Sequence, residues 1–284
     1  MAVTAQGEGY VAVGTAVYQA GNRASVAAVR VDDALALDPA FANAGVGLYD
    51  PGAFLASVGV SVLVDGERLL LGATIDNGAE LPDLDLAVLA LLPDGRVDAG
   101  FGADGVFSAS VHTLHGLPDP TPDLLRAVVI DDAGAPVLIG DSEGRVVLVR
   151  AQRDGALDRG FGEGGLVRVD VCGPTGIVAD AVLVDGAAMV AGACYRDPFF
   201  ADAVLLRFSL DHAAAEGEGE GEGEGDPAGG EGEGEPAVGE GEGEGEPPSC
   251  ACGAGASADA AGGLVLVVIL RCARSPRHPR RRPA

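Results

Sequence analysis

The sequence predicts an all-β fold of about four four-stranded antiparallel blades, and three observations carry that expectation. The first is a period. The stretch Val97-Asp98-Ala99-Gly100-Phe101-Gly102-Ala103-Asp104-Gly105-Val106 has counterparts at Leu37 to Val46 and Leu157 to Leu166, so Phe41, Phe101 and Phe161 stand at a constant spacing of 60. The second is the recurrence of Asp-Gly pairs between apolar runs, at Asp65-Gly66, Asp94-Gly95, Asp154-Gly155 and Asp185-Gly186. A tight hairpin turn needs positive φ at its centre, which this pair supplies. The third is composition: 48% of the chain is apolar, with no Trp, eight Phe and four Tyr, so the core is built from Val, Leu, Ile and Ala in strand-favouring runs.

Taken in order, the first unit is the least regular and opens with a strand at Tyr10–Gly14. The second unit supplies strands at Gly59–Val64, Arg68–Gly72, Leu84–Leu92 and Gly105–Ser108. The third repeats the plan at Ala127–Ile130, Pro136–Gly140, Arg145–Arg150 and Leu166–Val171. The fourth has Ala179–Val184, Ala188–Gly192 and Ala203–Phe208, and then Glu-Gly repeats stand where another Phe motif is due, near residue 221. The third strand of each unit is almost continuously apolar, as in a strand covered on both faces. Stacked four-stranded sheets do this, which is the plan of a β-propeller; a β-solenoid, with shorter rungs, is the runner-up. With three full units and most of a fourth, we expect an incomplete propeller, and a closed four-bladed ring is the alternative.

The pattern Leu/Val-Asp-x-x-Phe-Gly-x-x-Gly-Val, preceded by an Asp-Gly hairpin, resembles the delta-60 repeat family over residues 1 to about 212. Units two and three match well; in unit one Ala42 replaces the Gly after Phe41. The resemblance implies a propeller-like body of the kind found in bacterial surface and secreted proteins. It implies no shared catalytic activity.

Charge divides the chain. The net −25 splits into −17 over residues 1–215, −13 over 216–249 and +5 over 250–284, and every basic residue is Arg. A body this acidic repels phosphate backbones, which argues against nucleic-acid partners. Residues 213–249 are Glu/Gly-rich and nearly free of apolar side chains, so they are expected to be a disordered, self-repelling linker. Calcium binding by these carboxylates would be weak, since nothing preorganises them. Residues 250–284 carry Cys250-Ala251-Cys252-Gly253, an apolar run ending in Gly263–Leu270, and then Arg271, Arg274, Arg277 and Arg280–Arg282. An apolar run closed by an Arg cluster has the form of a membrane helix with its basic end inside. Only 11 residues, Ala260–Leu270, are free of charge, against roughly 20 for a comfortable span. The layout resembles the MYXO-CTERM class of C-terminal sorting signals. It implies a membrane contact, cleavage by a sortase-like processing protease, and Cys250 or Cys252 as the processed residue. Residues 1–23 show no basic-then-apolar leader, which reads either as an intracellular protein or as a start inside a longer gene product; the export-type tail makes the second the expectation.

Asp38, Asp98 and Asp158 are expected to accept backbone N–H bonds in their turns rather than to ligate metal. Phe41, Phe101 and Phe161 are expected to plug the core between blades, with Gly45, Gly105 and Gly165 completing the motif. Gly14, Gly72, Gly140 and Gly192 are expected where backbones approach closely. His112 and His115 lie in an insertion, residues 108–124, that reads as an exposed polar loop; a metal pair is the sharper alternative. No nucleophile-elbow, zinc-helix or phosphate-loop motif is present, and no cofactor or metal is expected. The function expected is a non-catalytic cell-surface repeat protein that binds or displays an unknown surface ligand. An extracellular propeller hydrolase or lyase with a site at the channel mouth is the rival, to be recognised by a cleft of carboxylates with shifted pKa values. With Cys250 and Cys252 assigned to the tail and Cys272 on its basic side, Cys172 and Cys194 remain in the body. Both are expected to emerge at one end of adjacent blades, and in an exported protein they are expected to pair.

Overall fold

The computed structural model describes residues 1–18, 23–52, 57–77, 83–117, 120–197, 200–210, 259–260 and 263–270. They form four antiparallel sheets. The first is β1 (Ala2–Gln6), β2 (Gly9–Tyr18), β3 (Arg23–Asp32) and β4 (Val46–Tyr49) in chain order. The second is β5 (Ser57–Asp65), β6 (Arg68–Asp76), β7 (Leu84–Leu91) and β8 (Val106–Ala109). The third is β9 (Asp123–Ile130), β10 (Pro136–Ser142), β11 (Arg145–Arg150) and β12 (Leu166–Val169), reached through a short helix α1 (Val111–His115). The fourth holds β13 (Gly176–Val184), β14 (Ala187–Asp197) and β15 (Phe200–Ser209), then β17 (Gly263–Leu270) and β16 (Asp259–Ala260).

The fourth sheet differs from the expected plan. The Phe motif does not recur in its sequence, and among the described residues the edge of β15 is taken by β17, paired antiparallel from Phe208↔Val265 to Ala203↔Leu270. Val265, Val267, Val268 and Ile269 favour extended backbone, and β15 offers an open row of hydrogen-bonding groups. Among the described residues no helix is long and apolar enough to cross a membrane. The linker 213–249, Cys250, Cys252 and the Arg cluster lie outside the described residues.

Each sheet is met by the first strand of the next. β5 packs across β1, β2 and β3; β9 across β5, β6 and β7; β13 across β9, β10 and β11. No described strand of the first sheet packs on the fourth in this way, as a closed four-sheet ring requires. Strand alternation sends successive side chains to opposite interfaces. In β6, Leu69 and Leu71 join Val11, Val13 and Val26 of the first sheet. Leu70, one residue apart, joins Leu125, Val128 and Leu138 of the third. Each such buried Leu contributes about 1.5–3 kcal/mol. This double burial explains the unbroken apolar runs, since β7 and β10 are buried almost end to end.

The first strand of sheets two, three and four carries a register shift, at Gly59/Ser61, opposite Ile139/Gly140, and at Val178/Asp180. A Cβ at Gly140 or Gly192 would collide with the carbonyl oxygen of Leu124 or Ile177 on that shifted strand. Gly72 instead makes room for Val128 and Leu125 of the next sheet, and Gly14 faces only Met1.

Cys172, just after β12, and Cys194, in β14, join the third and fourth sheets with Cα atoms 5.3 Å apart and a sequence separation of 22. We expect this pair to resist alkylation in the unfolded, unreduced protein. Cys172→Ser with Cys194→Ser should lose about 3 kcal/mol in a denaturant titration.

Candidate functional site

The repeated motif forms a latch between sheets. Asp38, Asp98 and Asp158 each accept a backbone N–H two residues on, from Ala40, Gly100 and Gly160, at 2.8, 3.1 and 3.0 Å. The Asp38 carboxyl is held below the usual carboxylate range, chiefly by the Ala40 N–H and then by Arg30. Phe41 and Phe101 are fully buried and Phe161 is 7% exposed. A guanidinium lies over each ring, Arg30 at 4.8 Å, Arg68 at 5.2 Å and Arg150 at 4.6 Å from the centroid. Arg30 Nε and Arg150 Nε each donate to their motif Asp at 2.7 Å.

These arginines also reach the following sheet. Arg30 donates to the Pro93 carbonyl, Arg68 to that of Arg153 at 3.2 Å, and Arg150 to that of Leu210 at 2.8 Å. The Asp-Gly turn of the next unit closes on the motif from the same side. Ala42 N donates to Asp94 O at 2.7 Å and Gly102 N to Asp154 O at 2.8 Å. Tyr49 Oη donates to Gly95 O at 2.7 Å, and burial, with Asp94 nearby, pushes its pKa up to about 12.

Sequence reading found the Asp and the Phe of this latch and missed the Arg. The available signal was Arg30 and Arg150, each eight residues before its Asp. In the second unit that position is Ala90, and Arg68 supplies the guanidinium from the start of β6 instead.

A second polar cluster sits beside the insertion, part of which is the helix α1. Ser110 caps α1, Val111 is fully buried and Gly116 closes the helix in the left-handed region. Asp123, also fully buried, accepts from Val111 N at 2.6 Å and Thr121 Oγ1 at 3.0 Å. Asp85, 6% exposed, accepts from Asn77 Nδ2 at 2.7 Å, while its Oδ1 and that of Asp83 are buried without a hydrogen-bond partner. Burial raises the Asp85 pKa, with Asp83 and Asp123 adding to it; burial raises that of Asp123, which Ser142, Val111, Thr121 and His112 oppose.

The members include a Ser, a His and an Asp, but not in a relay. Ser110 Oγ lies 2.7 Å and Asp83 Oδ1 3.8 Å from the same His112 nitrogen, Nδ1, and Nε2 faces Thr113 Oγ1 at 3.3 Å. A relay needs its nucleophile and its orienting carboxylate on opposite ring nitrogens. No described cavity is lined by Asp83, Asp85 or Asp123. His115 is exposed, and among the described residues no group of three or more His, Cys, Asp or Glu is placed to hold a metal.

A carboxyl whose folded pKa is raised contributes stability below its unfolded pKa and loses it as pH rises through the folded value. Asp85 and Asp123 should therefore lower stability as pH rises above the ordinary carboxylate value of 3.8. Asp85→Asn should flatten that slope and gain stability at neutral pH by removing a buried charge whose Oδ1 lacks a hydrogen bond. Denaturant titrations across pH measure both effects; an unchanged slope would show that the cluster does not titrate there.

One open groove of about 560 Å³ lies between the hairpin ends of the first and second sheets, bordered by Glu8, Asp32, Asp38, Glu67 and Arg30. Its surroundings are acidic and hold no nucleophile–base pair. No protein-family model and no curated protein matches this chain.

Proposed function

We propose that the chain is a non-catalytic cell-surface repeat protein, a scaffold for binding or display. Its body is read as a β-propeller arc, set off by the acidic linker 213–249 and sorted through residues 250–284. One observation carries this reading: the recurring Asp, Phe and Arg are used in joining one sheet to the next, which accounts for the repeat without a substrate. The clustered carboxylates with shifted pKa values, which in a cleft would favour a hydrolase or lyase, are buried and line no described cavity. The partners in this reading are the membrane, a sortase-like processing protease acting near Cys250 and Cys252, and a surface ligand of unknown identity. Gly263–Leu270 lies along β15 in the folded chain, so membrane sorting requires it to leave that edge.

Mass spectrometry of surface-exposed protein tests the reading. The expected result is a mature chain without the Arg280–Arg282 peptide, which Cys250→Ala with Cys252→Ala should retain. Surface protein that still carries this peptide counts against cleavage. Turnover of a glycan or peptide by the purified protein, lost on substitution of groove residues, overturns the non-catalytic reading.

A further inference from the structure

The two ends of the stack present the two halves of a contact that the chain already makes three times. Positions can be compared by counting from the first residue paired after the first hairpin turn of a sheet, which is Gly9, Arg68 and Ala187 in sheets one, two and four. One residue further on, Leu69 and Ala188 are buried against the preceding sheet, whereas their counterpart Tyr10 is 43% exposed. Two residues further on, Val11 and Leu70 are buried against the following sheet, while Met189, on the last sheet, shares its face with Val182 at 55% and Val184 at 46% exposure.

Cross-strand pairing extends both faces. On the first sheet, Val3, Tyr10, Ala12, Ala27, Val29 and Leu48 share one face through the pairs Val3↔Ala12, Ala12↔Val29 and Ala27↔Leu48. No charged residue occupies the register positions of that face between Tyr10 and Ala16 on β2 or between Ser25 and Val31 on β3. On the fourth, Val182, Met189, Ala191, Ala193 and Leu205 share a face whose two charges in the β13–β15 register, Asp180 and Arg207, are of opposite sign. In a chain with a net charge of −25, two such faces stand out as surfaces built to be covered.

We propose that the outer face of the first sheet docks on the outer face of the fourth sheet of a second copy of this chain. The contact is heterologous and repeats the one between consecutive sheets. Made at both ends, it closes a pair of chains into an eight-sheet ring. A second copy is the occupant because each chain carries both complementary halves, and because the internal contacts of sheets one to two and three to four show those halves packing on each other. This inference goes beyond the scaffold reading and does not depend on how the tail is processed.

Sedimentation and light scattering on the full chain at micromolar concentration test it, with Leu48→Glu on the first face and Val182→Glu on the other. Both positions are exposed, at 51% and 55%, so the single sheets tolerate the substitution; Val3→Glu, at 66% exposure, is a second variant for the first face. Circular dichroism confirms that each variant is folded. Wild type is expected at twice the mass of one chain, and each variant alone at the mass of one chain. An equimolar mixture of Leu48→Glu and Val182→Glu chains should regain a weaker dimer, since it restores one of the two contacts. A monomeric wild type overturns the proposal and leaves the faces to further repeats of a longer chain. A dimer broken by only one of the two substitutions shows a like-with-like contact and overturns it equally.

Discussion

Arg150→Met is expected to lower stability by about 3–5 kcal/mol, the usual result of breaking a buried ion pair from one side. The Arg150 side chain is 1% exposed. Its Nε donates to Asp158 Oδ2 at 2.7 Å, and its Nη1 approaches Asp131 Oδ2 at 3.3 Å and Leu210 O at 2.8 Å. Methionine keeps most of the apolar stem but leaves both carboxylates in a space with little access to water. The same latch recurs at lower burial, which turns the prediction into a series. Arg30 is 15% exposed with its Asp38 at 30%, and Arg68 is 19% exposed, 2.5 Å from Asp65 and 4.0 Å from Asp98. Both guanidinium groups are more open to solvent than that of Arg150, so Arg30→Met and Arg68→Met should each cost less than Arg150→Met. Chemical denaturation of the three variants decides the matter. Equal losses at the three sites would mean that burial does not set the strength of the latch. Adding Asp131→Asn and Asp158→Asn to Arg150→Met should recover part of the loss, because the penalty lies in the stranded charges.

The parts of this fold that the sequence displayed are those with local signals. Phe41, Phe101 and Phe161 recur at a fixed interval, and Asp94-Gly95 and Asp154-Gly155 announce their turns by chemistry that needs no partner. What those turns do was not visible. Gly95 and Gly155, at φ 82° and 84°, let the backbone close on the Phe motif of the preceding unit, a contact made across about one full period. The arginine was hidden for a related reason. Arg68 and Arg150 come from different strands yet place a guanidinium over equivalent rings, so their equivalence lies in space and not in spacing. The insertion is exposed at Thr113 and His115, as its polar composition suggests, while Val111 and Asp123 are buried and joined by a hydrogen bond that only Ser110, at the helix start, hinted at in sequence.

Phe101→Ala is the second large loss to expect, about 3–5 kcal/mol by the cost of emptying a buried aromatic site. The ring is fully buried in the cluster shared by the second and third sheets, alongside Leu86, Val88, Val149 and Ala151. A Cβ placed on Gly155 would lie 3.0 Å from Phe101 Cδ1, so the turn of the third unit already rests against the ring. Collapse into the vacancy is opposed by the sheets on both sides, which are held apart by paired strands; a residual cavity is therefore expected, and with it the upper part of the range. Phe101→Leu refills much of the volume and should cost less than half as much. Phe161→Ala should cost less than Phe101→Ala, since Phe161 is 7% exposed and has a shallower burial to lose. Gly155→Ala attacks the same contact from the other side: its φ of 84° is strained for alanine, and its methyl would run into Gly102 N, which donates to Asp154 O. Amide hydrogen exchange separates a local from a general effect. Faster exchange in β7 and β11 than in β2 and β3 places the damage between the second and third sheets. A loss below about 1 kcal/mol for Phe101→Ala, the level of an ordinary surface substitution, would show that the ring is not what joins them.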